Sequence, residues 1–346
     1  MGASILLGIL IIAFGAFSSG SFSIPFDKVT KWKWEISWLT FSVFAYLIVP
    51  LIICVIVAPN FMRIYQTIPS GNLMFIFILG CVYGLANLTF GLSLRYLGVA
   101  LGFCISLGLM MVIGTLLPPL IDGQMSRMFE GNGGVLLISG LIVSCIGIGI
   151  TAFAGILKSR KLETLKGEKA NAGFDLRKGL FAALFVGVTG SSMSLGFEQG
   201  KMIADETVKA GTPELFARCP VFVLFFAGSL LSTLIWCIYL GIKNNSLSDY
   251  YKGESKTLIA NYAMCAFASF LWFINYIFYG MGTSKLGEFT FVAWGILMSL
   301  TIVCATIWGF FRGEWKGIEF NIKRLVWLGL AVLMTASFMI GISGQK

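Results

Sequence analysis

The sequence contains no histidine and only eight cysteines, none of them in a CxxC pair. Cys54, Cys81, Cys104, Cys145, Cys237, Cys265 and Cys304 fall one to each apolar run, where small packing residues sit rather than ligands. A zinc site or a cysteine–histidine nucleophile therefore lacks its usual partner, and no metal, cofactor or catalytic residue is implied. Charge is scarce too: Asp, Glu, Lys and Arg make up 12% of the 346 residues, where a soluble domain carries roughly a quarter. Basic residues are not clustered with aromatics, which argues against a nucleic-acid surface. The first apolar run has no basic residue before it and no small-residue cleavage site after it, so it reads as a span rather than a leader. The start Met-Gly-Ala-Ser-Ile-Leu lacks the sixth-position hydroxyl of a myristoylation signal, so no lipid anchor is implied.

Hydrophobic residues are abundant, at 57% with a mean hydropathy of +0.88. They form runs of about 20 residues, each long enough to cross a hydrocarbon layer of roughly 30 Å as a helix. Ten spans are predicted: Ala3 to Ile24, Ile36 to Val57, Leu73 to Leu94, Gly98 to Leu120, Gly134 to Ile156, Gly179 to Phe197, Phe216 to Leu240, Leu258 to Tyr279, Phe289 to Phe311 and Leu325 to Ile342. The class is thus an all-α integral membrane protein whose solvent is the lipid bilayer. Of the 25 Lys and Arg residues, 18 lie in connections after odd-numbered spans, which puts those connections in the cytoplasm and both termini outside. The net charge of +9 follows mostly from that bias.

A Lys-, Arg-, Glu- and Gly-rich stretch, 158–178, divides the spans five and five, giving a first half 1–157 and a second half 179–346. The halves resemble each other. Gly140-Leu141-Ile142-Val143 ending at Gly155 parallels Gly329-Leu330-Ala331-Val332 ending at Gly344. Gly15-Ala16-Phe17-Ser18-Ser19-Gly20 leading to Asp27 parallels Gly187-Val188-Thr189-Gly190-Ser191-Ser192 leading to Glu198, and Asn87 with Arg95 parallels Asn275 with Lys285. Halves with an odd number of spans insert in opposite senses, so two inverted five-helix repeats are expected.

A polar group at bilayer depth costs free energy unless it faces a cavity or a partner. Tyr83 and Asn87, with Phe90 and Gly91, share one face of the third span; Trp272, Asn275, Tyr276 and Tyr279 form a comparable face on the eighth. Amides pair with sugar hydroxyls through both donor and acceptor, and aromatic rings cover the C–H face of a pyranose. The plainer alternative is hydrogen bonding and packing between helices. Small-residue stretches Gly15 to Ser23, Gly187 to Ser194 and Gly80 to Gly84 allow close helix approach.

Proton coupling without histidine falls to a carboxyl raised by partial burial. Glu198, after Phe197 in a small and apolar span, is the first choice, with Asp27 its repeat partner; Glu288 and Asp122 lie at span ends. The alternative is solvated helix-end charges, with Glu198 on Lys201 and Asp27 on Lys28 or Lys31. Arg95 reads as the cap of a tight interhelical turn.

The segment Tyr83-Gly84-Leu85-Ala86-Asn87-Leu88-Thr89-Phe90-Gly91-Leu92-Ser93-Leu94-Arg95-Tyr96-Leu97-Gly98 resembles the L-rhamnose/proton symporter family, within the drug/metabolite transporter superfamily. Further likeness lies in Pro25-Phe26-Asp27-Lys28-Val29, Lys31-Trp32, Trp34-Glu35, Pro59-Asn60-Phe61, Gly114-Thr115-Leu116, Phe278-Tyr279 and Glu314-Trp315. The resemblance implies a ten-helix fold of two inverted halves in a bacterial inner membrane, taking up a deoxy sugar with protons. The other readings are a drug/metabolite-type exporter or exchanger of another small metabolite, and an intramembrane enzyme or sensor. The sequence offers neither clustered catalytic groups nor a soluble output domain for the last of these.

Overall fold

Backbone N–H and C=O groups find no water inside a bilayer, so each apolar run satisfies them within itself as a helix. The computed structural model describes residues 2–121, 123, 131–166, 175–286 and 292–342, and contains no strand among them. Ten helices are long and apolar enough to span. They are α1 (Gly2–Ser21), α2 (Trp34–Val57), α3 (Ser70–Leu97), α4 (Val99–Ile121), α5 (Gly131–Lys166), α6 (Leu176–Lys209), α7 (Cys219–Lys243), α8 (Ser255–Leu286), α9 (Val292–Phe311) and α10 (Phe320–Ile342). Every predicted span has its helix. Glu288, Asp122, Gly287 and Gly344 lie outside the described residues.

The main differences from the expected boundaries are extensions into polar sequence. α5 runs on to Lys166, because eight of the ten residues from Leu157 to Lys166 are Lys, Leu, Glu or Arg, all good helix formers. The stretch expected as a linker is therefore helical at its start and again from Leu176. α6 continues past Phe197 to Lys209 as three segments that break at Ser191 and Gly200.

α1 packs against α8 and α9, and α6 packs against α3 and α4. α4 and α9 face each other at the centre, α2 packs on α7 and α8, α3 on α7, and α5 lies along α10. The α3–α7 crossing is a reciprocal small-residue contact. A methyl group on Gly80 would collide with the carbonyl of Phe225, and one on Gly228 with that of Phe77. Ser229 Oγ donates to Gly80 O at 2.9 Å and Ser232 Oγ to Cys81 O at 2.7 Å across that crossing. Small residues thus serve here as close-packing surfaces, as expected.

α3 and α4 are joined by Gly98 alone, at φ +81, a left-handed value that favours glycine. The N-terminus of α4 is capped from elsewhere in the chain, since Glu314 accepts from Val99 N at 3.0 Å and Ala100 N at 3.3 Å. Arg95 is exposed beside this turn.

Connections after odd-numbered spans lie on one face of the bundle, which polar contacts hold shut. Glu35, 4% exposed, accepts from Asn244 Nδ2 at 2.9 Å and Ser246 Oγ at 2.6 Å. Thr30 N donates to Asn261 Oδ1 at 3.1 Å, and Asn261 Nδ2 returns a bond to Thr30 O at 2.8 Å.

Candidate functional site

Residues three, four and seven apart share one face of a helix, so Tyr83, Asn87 and Phe90 project together from α3. The α3–α7 crossing and the α1–α8 contact bring that face opposite Trp272, Asn275 and Tyr276 of α8. All six predicted residues are buried and line a single central cavity of about 40 Å³. Ser19 and Phe22 of α1, Ala86 of α3, Phe103, Leu107 and Met110 of α4, Val186 of α6 and Met298 of α9 complete its walls.

The wall is neutral, with no Asp, Glu, Lys or Arg among its lining residues. Its polar groups are two amides, one serine hydroxyl, two phenols and one indole. Asn87 Nδ2 donates to the hydroxyl of Tyr46, and Asn275 Nδ2 donates to the carbonyl of Trp272. A side-chain amide offers two donors and two lone pairs, so both asparagines retain unused hydrogen-bonding capacity beside the cavity. Aromatic rings surround the amides: Trp272 and Tyr276 meet edge to face at 4.9 Å, and Phe90 and Phe103 at 5.0 Å. Such a wall suits a small, uncharged solute with hydroxyl groups and an apolar face.

Aromatic rings pack on both sides of the cavity. Towards the odd-connection face, Phe22 stacks on Phe41 at 5.6 Å and Trp34 on Trp38 at 5.4 Å. Towards the other face, Phe197, Phe222, Phe225 and Phe226 pack around Tyr276.

Glu198 and Asp27 stand apart from this cavity. Glu198 is exposed, because the α6 sequence turns charged beyond it with Lys201, Asp205, Glu206 and Lys209, and the apolar part of the span ends at Phe197. It makes no ion pair with Lys201 or any other described residue. Asp27 lies in a 3₁₀ turn, Pro25–Lys28, on the odd-connection face, and its ion-pair partner is Arg312 rather than Lys28 or Lys31. The two carboxyls thus sit at opposite ends of the bundle.

Several positions in or behind the cavity wall were not singled out from sequence. Ser19 was inside the flagged stretch Gly15 to Ser23, so its composition was a partial signal. Phe22, Phe103, Val186 and Met298 carried none, since an apolar residue in a span looks the same whether it faces a cavity, a helix or lipid. Tyr46, behind Asn87, could have been found from its hydroxyl at mid-span and from Pro50 four residues on.

Ten spans wrapped around a neutral, polar and aromatic cavity define a polytopic helical membrane protein. Residues 1–345 match the family model described as L-rhamnose-proton symport protein, and the chain belongs to that family. It is similar to the L-rhamnose-proton symporters of Klebsiella pneumoniae (strain 342), Shigella dysenteriae serotype 1 (strain Sd197) and Cronobacter sakazakii (strain ATCC BAA-894). It is 30% identical to each of the three over 345 residues, 99% of this chain and 99% of the relative. No solved structure matches the chain. The family is one of transport proteins, not enzymes, and with ten spans and bacterial relatives this chain is a multi-pass protein of a bacterial inner membrane.

Proposed function

We propose that the protein takes up L-rhamnose or a closely related deoxy sugar together with protons, by alternating access to the central cavity. The observation that carries this reading is the convergence of Tyr83, Asn87, Phe90, Trp272, Asn275 and Tyr276 on one neutral site. Asn87 and Asn275 bond the sugar hydroxyls, while Phe90, Trp272, Tyr83 and Tyr276 cover the C–H face and the methyl group. The names of the relatives, L-rhamnose-proton symporters along the full length, support the same substrate and ion.

Alternating access finds support in the size of the cavity. At about 40 Å³ it has room for one or two waters, at about 30 Å³ each, and a pyranose needs the walls to part. On this reading solute passes when one aromatic layer opens while the other stays packed.

The fold we propose is that of the drug/metabolite transporters, with halves 1–157 and 179–346 as inverted five-helix repeats joined by 158–178. Exchanging each helix for the one five places on turns the α1–α8 contact into α6–α3, α1–α9 into α6–α4, and α4–α5 into α9–α10. The contacts α2–α7, α4–α9 and α5–α10 map onto themselves. A packing pattern of that kind is what two-fold related halves produce. The positions of Asp27 and Glu198 at opposite ends accord with it.

Glu198, with Asp27 as its counterpart, is proposed to carry the coupled proton from the rim rather than from the sugar pocket. The test is sugar-dependent alkalinisation outside proteoliposomes that hold the protein, with L-rhamnose, L-fucose and D-glucose compared. Alkalinisation with L-rhamnose supports symport, and its loss in Glu198→Gln with sugar binding retained supports the carboxyl. Folded protein that responds to no sugar refutes the transport reading.

A further inference from the structure

Tyr46 is fully buried, at 1% exposed, and lies behind the cavity rather than in its wall. It sits in a one-turn π-helical segment of α2, Phe44–Ile48. Pro50 accounts for the irregularity, since it has no N–H to give to the carbonyl of Tyr46, and its ring crowds that carbonyl. Single π turns inside α-helices tend to aim a side chain at a functional site. Here the ring is fixed on two sides, stacked on Phe226 at 5.6 Å and edge-on to Trp272 at 5.3 Å, and the hydroxyl accepts from Asn87 Nδ2.

An unsupported asparagine amide can rotate half a turn about its last bond, exchanging donor and acceptor with little change of shape. A hydroxyl held behind the amide limits that freedom by fixing where the amide lies and how its plane is tilted, whichever end faces the phenol oxygen. We infer that Tyr46 is a positioning residue for substrate choice: its hydroxyl holds the Asn87 amide at one place and tilt, so that it meets the hydroxyls of the sugar in one defined geometry. This inference rests on the sugar reading of the cavity. The hydroxyl itself makes no contact with the sugar, and its effect passes entirely through Asn87.

Tyr46→Phe keeps the ring and its contacts with Phe226 and Trp272 and removes only the oxygen. Binding of L-rhamnose and of its single-hydroxyl epimers and deoxy analogues is followed by tryptophan fluorescence, since Trp272 lines the cavity. It is measured in purified wild type, Tyr46→Phe, Asn87→Ala and the double variant, with melting of each checked in detergent. The expected result is an L-rhamnose Kd raised about tenfold in Tyr46→Phe, the scale of one lost hydrogen bond. Discrimination against the analogue altered at the hydroxyl that meets Asn87 should fall by a similar factor. In the Asn87→Ala background Tyr46→Phe should add nothing, which a merely structural tyrosine would not produce. Equal affinities and selectivities in wild type and Tyr46→Phe, or full additivity with Asn87→Ala, overturn the inference while leaving the sugar reading intact. Wild type that binds none of the sugars removes that reading and this inference with it. Should Tyr46→Phe melt far below wild type, Asn87→Leu decides. It removes the amide through which Tyr46 acts while keeping its bulk, and selectivity that survives it refutes the role.

Discussion

Alanine at Gly80 and alanine at Gly149 add the same methyl group to two spanning helices, and the structure assigns them opposite effects. At Gly80 the new carbon would overlap the backbone carbonyl of Phe225, at a crossing where Ser229 and Ser232 tie α7 to α3. Backbone in a hydrogen-bonded helix does not yield as a flexible side chain would, so the helices must separate. Overpacking of this kind costs about 1–3 kcal/mol, and the loss of one serine bond adds about 1 kcal/mol. At Gly149 nothing lies within 4 Å of the added carbon, and replacing a helical glycine there gains about 0.5–1 kcal/mol. The two variants should therefore differ by about 2–5 kcal/mol. Reversible unfolding in mixed micelles by increasing SDS measures that difference. Because Gly80 lies three residues before Tyr83, Gly80→Ala should also weaken L-rhamnose binding, and Gly149→Ala should not. Equal stability of the two variants would refute the close α3–α7 crossing and with it the way Asn87 is brought to face α8.

Glu35→Ala should cost about 2–3 kcal/mol in the same unfolding assay, because it strips a buried acceptor from Ser246, which is 0% exposed, and from Asn244. Glu35→Gln keeps an acceptor oxygen and should cost under about half as much, so equal losses would count against the hydrogen-bond account. Asn275→Ala should raise the Kd for L-rhamnose about tenfold or more with stability nearly unchanged, and unchanged binding would remove Asn275 from the proposed sugar site. Asp175 caps α6 by accepting from Lys178 N at 3.0 Å and pairing with Lys178 Nζ at 2.9 Å. These contacts hold its carboxyl below the ordinary aspartate range. The contribution is therefore present above that range and is lost as pH falls through the lowered value. Asp175→Asn should flatten the acid limb of a melting-against-pH curve, and an unaltered limb would show that the cap adds nothing.

The ten spans were legible in the sequence because a bilayer leaves an apolar run one way to satisfy its backbone. Boundaries in polar sequence were not, and α5 and α6 both overran because helix propensity does not stop at the headgroups. The polar cavity-lining residues were legible for a related reason: an amide beside aromatics at mid-span has few explanations, and Asn87 and Asn275 carry it. The phenylalanines that seal the site were invisible, since packing partners are set by crossings such as Gly80 on Gly228 that no single run encodes. The exposure of Glu198 was not legible either, for the same cause. Its neighbours up to Phe197 are apolar, and only the three-segment course of α6 to Lys209 shows that the apolar part of the span ends there.

The alternating access proposed above would draw on particular helices of the cavity wall. A wall helix with an uninterrupted backbone ladder resists bending, whereas one already broken can pivot at the break with little loss of hydrogen bonding. α1 ends at Ser21 and gives way to the 3₁₀ turn Pro25–Lys28, just beyond the wall residues Ser19 and Phe22. α6 breaks at Ser191, one turn beyond the wall residue Val186, and again at Gly200. These two helices pack on opposite walls, α1 against α8 and α9 and α6 against α3 and α4. A pivot of α1 carries Phe22 away from Phe41 and Phe103 and loosens the aromatic layer on one face. A pivot of α6 carries Phe197 away from Phe222, Phe225 and Tyr276 and loosens the other. Each break thus serves one aromatic layer, and the neutral pocket between them can be reached from either side without dismantling the α3–α7 crossing that holds Asn87 in place.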